Sequence, residues 1–137
     1  MDVYECLRSR RTVRLFKSSV VPESIVTKIL SAARWAPSSQ NQQPWHLVVI
    51  RDRNMLKAIG EIAVSGPFIA EAPLAIAVVM DHADAPELDA GRALQQMELM
   101  AWSEGLGTCF VGLTLDDRER IGELLGIPPD MDLMTVL

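Results

Sequence analysis

The run Leu74-Ala75-Ile76-Ala77-Val78-Val79-Met80 is apolar at every position. A strand sends successive side chains to opposite faces, so a strand of this composition has to be covered on both. That excludes a sheet with one wet face and asks for helices packed above and below. A chain of 137 residues is long enough to bury such a core. We expect one domain over residues 1–137. No apolar run reaches the roughly 18 residues of a membrane span, and Met1-Asp2-Val3-Tyr4-Glu5 begins acidic and polar, unlike a signal peptide. The default compartment is the cytoplasm, with no membrane partner.

The remaining elements follow from periodicity. Residues 2–9 read as a short helix. Val21-Pro22-Glu23 opens a stronger one, with Ile25, Val26, Ile29, Leu30, Ala33 and Ala36 on one face, and Pro37 ends it. His46-Leu47-Val48-Val49-Ile50 reads as a buried strand, and Asp52 caps a helix to about Ala63. Asp89 starts the longest helix, which Gly105-Leu106-Gly107 stops. Thr108 to Gly112 reads as a third strand. Asp116 or Asp117 caps a helix ending near Gly126, and Met131 to Leu137 forms a fourth strand. Helices and strands mix without a strict βαβ rhythm, so the class is α+β or α/β about a central sheet. The apolar C-terminus stops without turn residues, so either the chain is cut short there or this strand is an abrupt terminus.

Charge is unevenly distributed. Residues 1–80 carry ten basic and six acidic side chains, whereas residues 81–137 carry three and twelve, for a net charge of −5. An acidic chain is not built to hold nucleic acid. Locally, Arg8, Arg10, Arg11, Arg14 and Lys17 crowd into ten positions. Guanidinium forks match two phosphate oxygens at once, and the Thr12 hydroxyl between them adds a further bond. Taken alone, the cluster fits a solvated basic surface as well as an anion site.

The second polar concentration is Pro37-Ser38-Ser39-Gln40-Asn41-Gln42-Gln43-Pro44, which carries hydroxyls and carboxamides but no charge. Such a loop suits a neutral, planar, hydrogen-bonding ligand. It also fits a helix-to-strand connection that caps itself.

Other motifs point away from common chemistries. Gly105-Leu106-Gly107-Thr108 follows a helix and precedes a strand, the reverse of a dinucleotide fingerprint. Gly112, just past the expected strand, would let backbone approach a ligand closely. His46 and His82 have no partners at metal-ligand spacing, and no nucleophile elbow exists. Two cysteines, Cys6 and Cys109, exclude a disulfide framework and read as small core residues. Trp35, Trp45 and Trp102 read as core.

In order, Arg10-Arg11-Thr12-Val13-Arg14-Leu15-Phe16, Val21-Pro22-Glu23, Ala32-Ala33-Arg34-Trp35-Ala36-Pro37-Ser38-Ser39, Gln40-Asn41-Gln42-Gln43-Pro44-Trp45-His46 and the Gly105–Gly112 block resemble the FMN-dependent nitroreductase family. The resemblance covers nearly the whole chain. It implies an α+β three-layer sandwich, with a central mixed sheet flanked by helices, built as an intertwined homodimer with FMN at the interface. It places Arg10, Arg11 and Thr12 on the ribityl phosphate and Arg14 near the flavin N1–O2 edge. There, positive charge favours the anionic reduced flavin. Pro37, Ser38, Ser39 and Asn41 would reach the isoalloxazine and ribityl chain of the other subunit's flavin, and Val111 and Gly112 would offer backbone near N5. The implied reaction is ping-pong, with NAD(P)H reducing FMN and the flavin reducing a nitroaromatic, quinone or similar small-molecule acceptor. No protein nucleophile or catalytic side chain is required. The alternative is a non-catalytic or differently specialised flavin-binding member of the same superfamily. Family members continue into a C-terminal arm that embraces the partner subunit, and this arm is missing here.

Overall fold

A computed structural model describes residues 1–137. The elements in chain order are α1 (Val3–Ser9), α2 (Glu23–Arg34), β1 (Trp45–Ile50), α3 (Arg53–Ile62), β2 (Ala75–Met80), α4 (Pro86–Ser103), α5 (Leu115–Leu125) and β3 (Asp132–Val136), with 3₁₀ turns at Ser39–Asn41 and Pro67–Glu71. The strands form one antiparallel sheet in the order β1-β2-β3.

β2 is central, and all six of its residues are buried. Its two faces feed two cores. Ala75, Ala77 and Val79 join Leu56, Ile59, Ile69 and Ile121 on the side of α3 and α5. Ile76, Val78 and Met80 join Ile29, Ala33, Ala93 and Met97 on the side of α2 and α4. The period-two alternation thus divides one apolar strand between two helical layers, as the sequence expectation required. A bulge between Val78 and Val79 lets Leu133 and Val136 of β3 share the α3/α5 side despite their three-residue spacing.

Local chemistry sets the boundaries. Asp2 and Glu5 form a capping box at α1, and Asp52 accepts from the Met55 N–H at α3. Gly105, at φ 83°, follows the end of α4, and Gly126, at φ 69°, caps α5.

Several sequence expectations need correction. Thr108–Gly112 makes only single bridges, Thr12 to Thr108 in parallel and Val111 to Val136 antiparallel, so the expected third strand is absent; the sheet is wholly antiparallel rather than mixed, and the parallel bridge lies outside it. β1 is an edge strand, and His46 on it is exposed. α4 starts at Pro86 because proline is favoured in the first turn, which carries Asp89 inside the helix. Thr114, not an aspartate, caps α5, while Asp117 completes its capping box from the third helical position. Trp35 is 82% exposed, since it caps α2 beyond the apolar face. The cysteines are buried as expected. No helix is long and apolar enough to cross a membrane.

Candidate functional site

The cationic cluster begins where α1 ends. Arg10 is the C-cap residue, and its N–H donates to the Cys6 carbonyl. The chain then runs extended along the Gly107–Cys109 segment. The Val13 N–H donates to the Thr108 carbonyl at 2.9 Å, which fixes the register of Thr12 against Thr108. Close approach is possible because Gly107 lacks a Cβ; a methyl there would sit 2.5 Å from Val13 Cγ2. Reading this glycine only as part of a helix stop misses that second role.

Arg11, Thr12 and Arg14 are exposed and Arg10 is half-buried. Arg11 donates to the Arg8 and Arg10 carbonyls at 2.8 and 2.9 Å, so its side chain is folded back over the end of α1. Neither Arg11 nor Arg14 pairs with a carboxylate, whereas Arg10 lies 3.7 Å from Glu98, a buried residue of α4. Arg14 stands beside Cys109. Burial pushes that thiol above its ordinary value and the Arg14 guanidinium pulls the other way. An unpaired guanidinium at Arg11 next to the Thr12 hydroxyl is suited to a phosphate, and Arg14 is a second unpaired cation further along the same segment.

Val111 is a correction. Its side chain is in the core, its N–H donates to Val136 and its carbonyl accepts from the Thr135 hydroxyl. That N–H is therefore unavailable to a ligand. Gly112 is exposed, and a Cβ placed on it would meet nothing within 4 Å.

The Pro37–Pro44 loop is more constrained than its composition suggests. Gln40, Asn41 and Gln43 lie at φ 52°, 54° and 51°, left-handed angles that cost about 1–3 kcal/mol per non-glycine residue unless surroundings impose them. They are imposed by contacts. The Ser39 N–H donates to Asp89 Oδ1 at 3.0 Å and the Gln43 N–H to Ser38 Oγ at 2.9 Å. Gln43 Nε2 donates to Asn41 Oδ1, Gln40 Nε2 to Asp84, and the Asp84 N–H to Gln42 Oε1. Pro37 borders a hollow of about 440 Å³ shared with Leu88, Arg92 and Gln95. Sequence reasoning missed Asp89 and Glu98. Their signal was present, because Asp89 is in four-residue phase with the apolar positions Ala93, Met97 and Ala101, and Glu98 falls between Met97 and Ala101.

One chain does not bring these groups together. Arg10 is tied to Glu98 and Ser39 to Asp89, and nine residues of α-helix separate those anchors, about 14 Å at 1.5 Å per residue. The cationic segment and the polar loop are two separate half-sites on the same helix. A further cavity of about 450 Å³, lined by Val13, Phe16, Phe68, Leu74, Leu106 and Leu137 among others, includes none of the ten residues named from the sequence. Its walls are mostly apolar, with Lys17, Ser19 and Thr108 among the few polar residues on them.

Comparison with known proteins matches residues 7–85 and 64–137 to the model of the nitroreductase family. A protein of Methanothermobacter thermautotrophicus, whose name places it among the NADH dehydrogenase/NAD(P)H nitroreductases, is 39% identical over 135 residues, covering 93% of this chain and 71% of that protein. The FMN reductase [NAD(P)H] of Bacillus subtilis is 27% identical over 150 residues, covering 93% of this chain and 60% of that protein. Among solved structures, an FMN-dependent nitroreductase from Clostridium difficile R20291 superposes with a TM-score of 0.94 at 28% identity. It covers 98% of this chain and 84% of that one.

Proposed function

This chain belongs to the nitroreductase family, and from that premise we propose that residues 1–137 form one FMN-binding domain of a cytoplasmic homodimer that oxidises NAD(P)H and reduces a small-molecule acceptor such as a nitroaromatic or quinone. The observation that carries the reading is the pair of half-sites on α4. A cationic end suited to phosphate and a neutral polar loop suited to a heterocycle are held at anchors about 14 Å apart along one helix, the order of separation a ligand with a phosphate at one end and a planar ring at the other would need. In the two-fold dimer of this reading the loop of one subunit faces the cationic segment of the other, so each site draws on both chains.

The residues present fit the cofactor. Arg11 and Arg14 are cations without carboxylate partners, Thr12 carries a hydroxyl between them, and the exposed backbone at Gly112 leaves room for a flat ring. Bound FMN would supply the redox chemistry, accepting reducing equivalents from NAD(P)H and passing them to the acceptor in alternate half-reactions. The protein's part is binding and electrostatics. Arg10, Arg11 and Thr12 hold the phosphate, Arg14 places positive charge toward the ring edge, and Ser38, Ser39 and Asn41 bond the ring and ribityl chain from the neighbouring subunit. The carbonyl of Asn41 is already used by Gln43, so its NH₂ group is the part left for a ligand.

The test is the absorbance spectrum of purified protein alone and with NADH or NADPH added. Flavin bands that bleach on adding the nucleotide are expected. Colourless protein that added FMN cannot reconstitute would end this reading, and bound flavin inert to both nucleotides would favour a non-catalytic flavin-binding member.

A further inference from the structure

Asp89 is completely buried on the fourth residue of α4, directly beneath the Pro37–Pro44 loop. A carboxyl in that position has two supports, the positive end of the helix dipole and the Arg92 guanidinium 3.6 Å away. Its Oδ1 accepts the Ser39 N–H. Its Oδ2 is buried and has no hydrogen-bond partner. A buried carboxyl kept only for folding would ordinarily have both oxygens satisfied. Here one oxygen holds the loop and the other is an unused acceptor under it.

The loop needs such a hold. Three non-glycine residues in four positions take left-handed angles that L side chains rarely adopt. The other restraints from the α4 end, Gln40 and Gln42 on Asp84, are at the surface and compete with water. The Asp89–Ser39 bond is the one anchored on a residue closed to solvent.

We propose that Asp89 is the positioning residue that fixes the Ser38–Gln43 loop in its ligand-receiving conformation. The proposal rests on the FMN reading above and deepens it. Asp89 touches no ligand itself. It acts through Ser39, and its second oxygen is an acceptor left free. Because the loop faces ring and ribityl rather than phosphate, its loss should weaken FMN and riboflavin alike.

The experiment titrates FMN and riboflavin into wild type, Asp89→Ala and Asp89→Asn, and follows amide hydrogen exchange in each. Removing the acceptor should weaken both flavins by about tenfold, the scale of one buried hydrogen bond. Exchange protection should be lost at Ser39 and Gln43 and kept across β2. Asparagine retains an acceptor oxygen and should restore affinity to within about threefold. An Asp89→Ala protein that folds and binds both flavins as wild type does overturns the proposal. So does a loss confined to FMN, which would point to the phosphate end. If Asp89→Ala does not fold, Ser39→Pro removes the N–H that Asp89 accepts and Ser39→Ala keeps it; weaker binding of both flavins by the proline variant than by the alanine variant supports the proposal and equal binding overturns it. Wild-type protein that binds neither flavin removes the FMN reading and this proposal together, a result distinct from any variant-specific outcome.

Discussion

The guanidinium of Arg10 lies 3.7 Å from Oε2 of Glu98, a side chain only 7% exposed. Two opposing influences act on that acid. Burial raises its pKa, Arg10 lowers it, and burial prevails. The folded state therefore holds the Glu98 proton more tightly than the unfolded chain does. The resulting stability is fully present below the unfolded-state pKa and is lost as pH rises through the raised folded-state value. Glu98→Gln mimics the protonated acid and does not titrate. The difference in Tm, variant minus wild type, should become more positive by a few degrees from pH 5 to pH 8. A difference that stays flat or shrinks over that range would show that the Arg10 pairing, not burial, governs Glu98.

Arg11 and Arg14 lie on the same exposed segment but are assigned to opposite ends of the ligand. Arg11→Ala should weaken FMN by about 10- to 100-fold, the range of a charge-assisted hydrogen bond, and leave riboflavin affinity unchanged. Arg14→Ala should change affinity less and lower the potential of the bound flavin. An interaction of 1–2 kcal/mol with the reduced form corresponds to roughly 20–40 mV for a two-electron couple. Reduction by NAD(P)H should slow in parallel. Equal losses for FMN and riboflavin in Arg11→Ala, or an unshifted potential in Arg14→Ala, would remove the corresponding role.

How much of this was legible in the sequence depends on whether the signal was local. The two-faced burial of Ala75–Met80 followed from composition alone, because pleating leaves no other arrangement. The Arg10–Arg14 cluster and the polar loop were visible as residue types. The failures were non-local or competitive. Thr108–Val111 has strand composition, but its hydrogen bonds go to Thr12 and Val136 one bridge at a time. Proline at position 86 outcompeted the aspartate as the start of α4. Asp89 and Glu98 are acids within an otherwise apolar helical face, so amphipathic phase marked them, yet their partners lie 50 and 88 residues away in sequence. Asn41 is a residue type that tolerates left-handed angles, but nothing in the composition signals them at Gln40 and Gln43, since glutamine has no special tolerance for them.

Gly107 links fold stability to the phosphate end. A Cβ there would lie 2.5 and 2.6 Å from Val13 side-chain atoms, so Gly107→Ala has to push Val13 outward. That motion strains the Val13–Thr108 hydrogen bond and the Thr12–Thr108 bridge, which set the direction of the cationic segment. Overpacking of this kind costs about 1–3 kcal/mol. We expect the urea midpoint to fall accordingly and FMN affinity to fall with it. Gly112→Ala, where a Cβ meets nothing, should leave the midpoint nearly unchanged. A Gly107→Ala protein with an unaltered midpoint would mean that Val13 yields freely and fixes nothing.

The separation of the half-sites along α4 gives the most decisive prediction, because it concerns which chains build a site. Consider one variant lacking the cationic end, Arg10→Ala/Arg11→Ala, and another lacking loop contacts, Ser38→Ala/Asn41→Ala. Each homodimer should bind FMN poorly, since every site in it lacks one half. If a site takes its cationic end from one chain and its loop from the other, a mixed dimer contains one doubly damaged site and one intact site. Differentially tagged and co-expressed chains, purified for the mixed species, should then bind close to one FMN per dimer with wild-type affinity. If each chain built its own site, both sites of the mixed dimer would remain defective and no high-affinity binding would return. The anchors on Glu98 and Asp89 lie about 14 Å apart on one rigid helix, and the shared-site reading predicts the first result. The loop is clamped to Asp89 in either case, so only the stoichiometry and affinity of the mixed dimer separate the two arrangements.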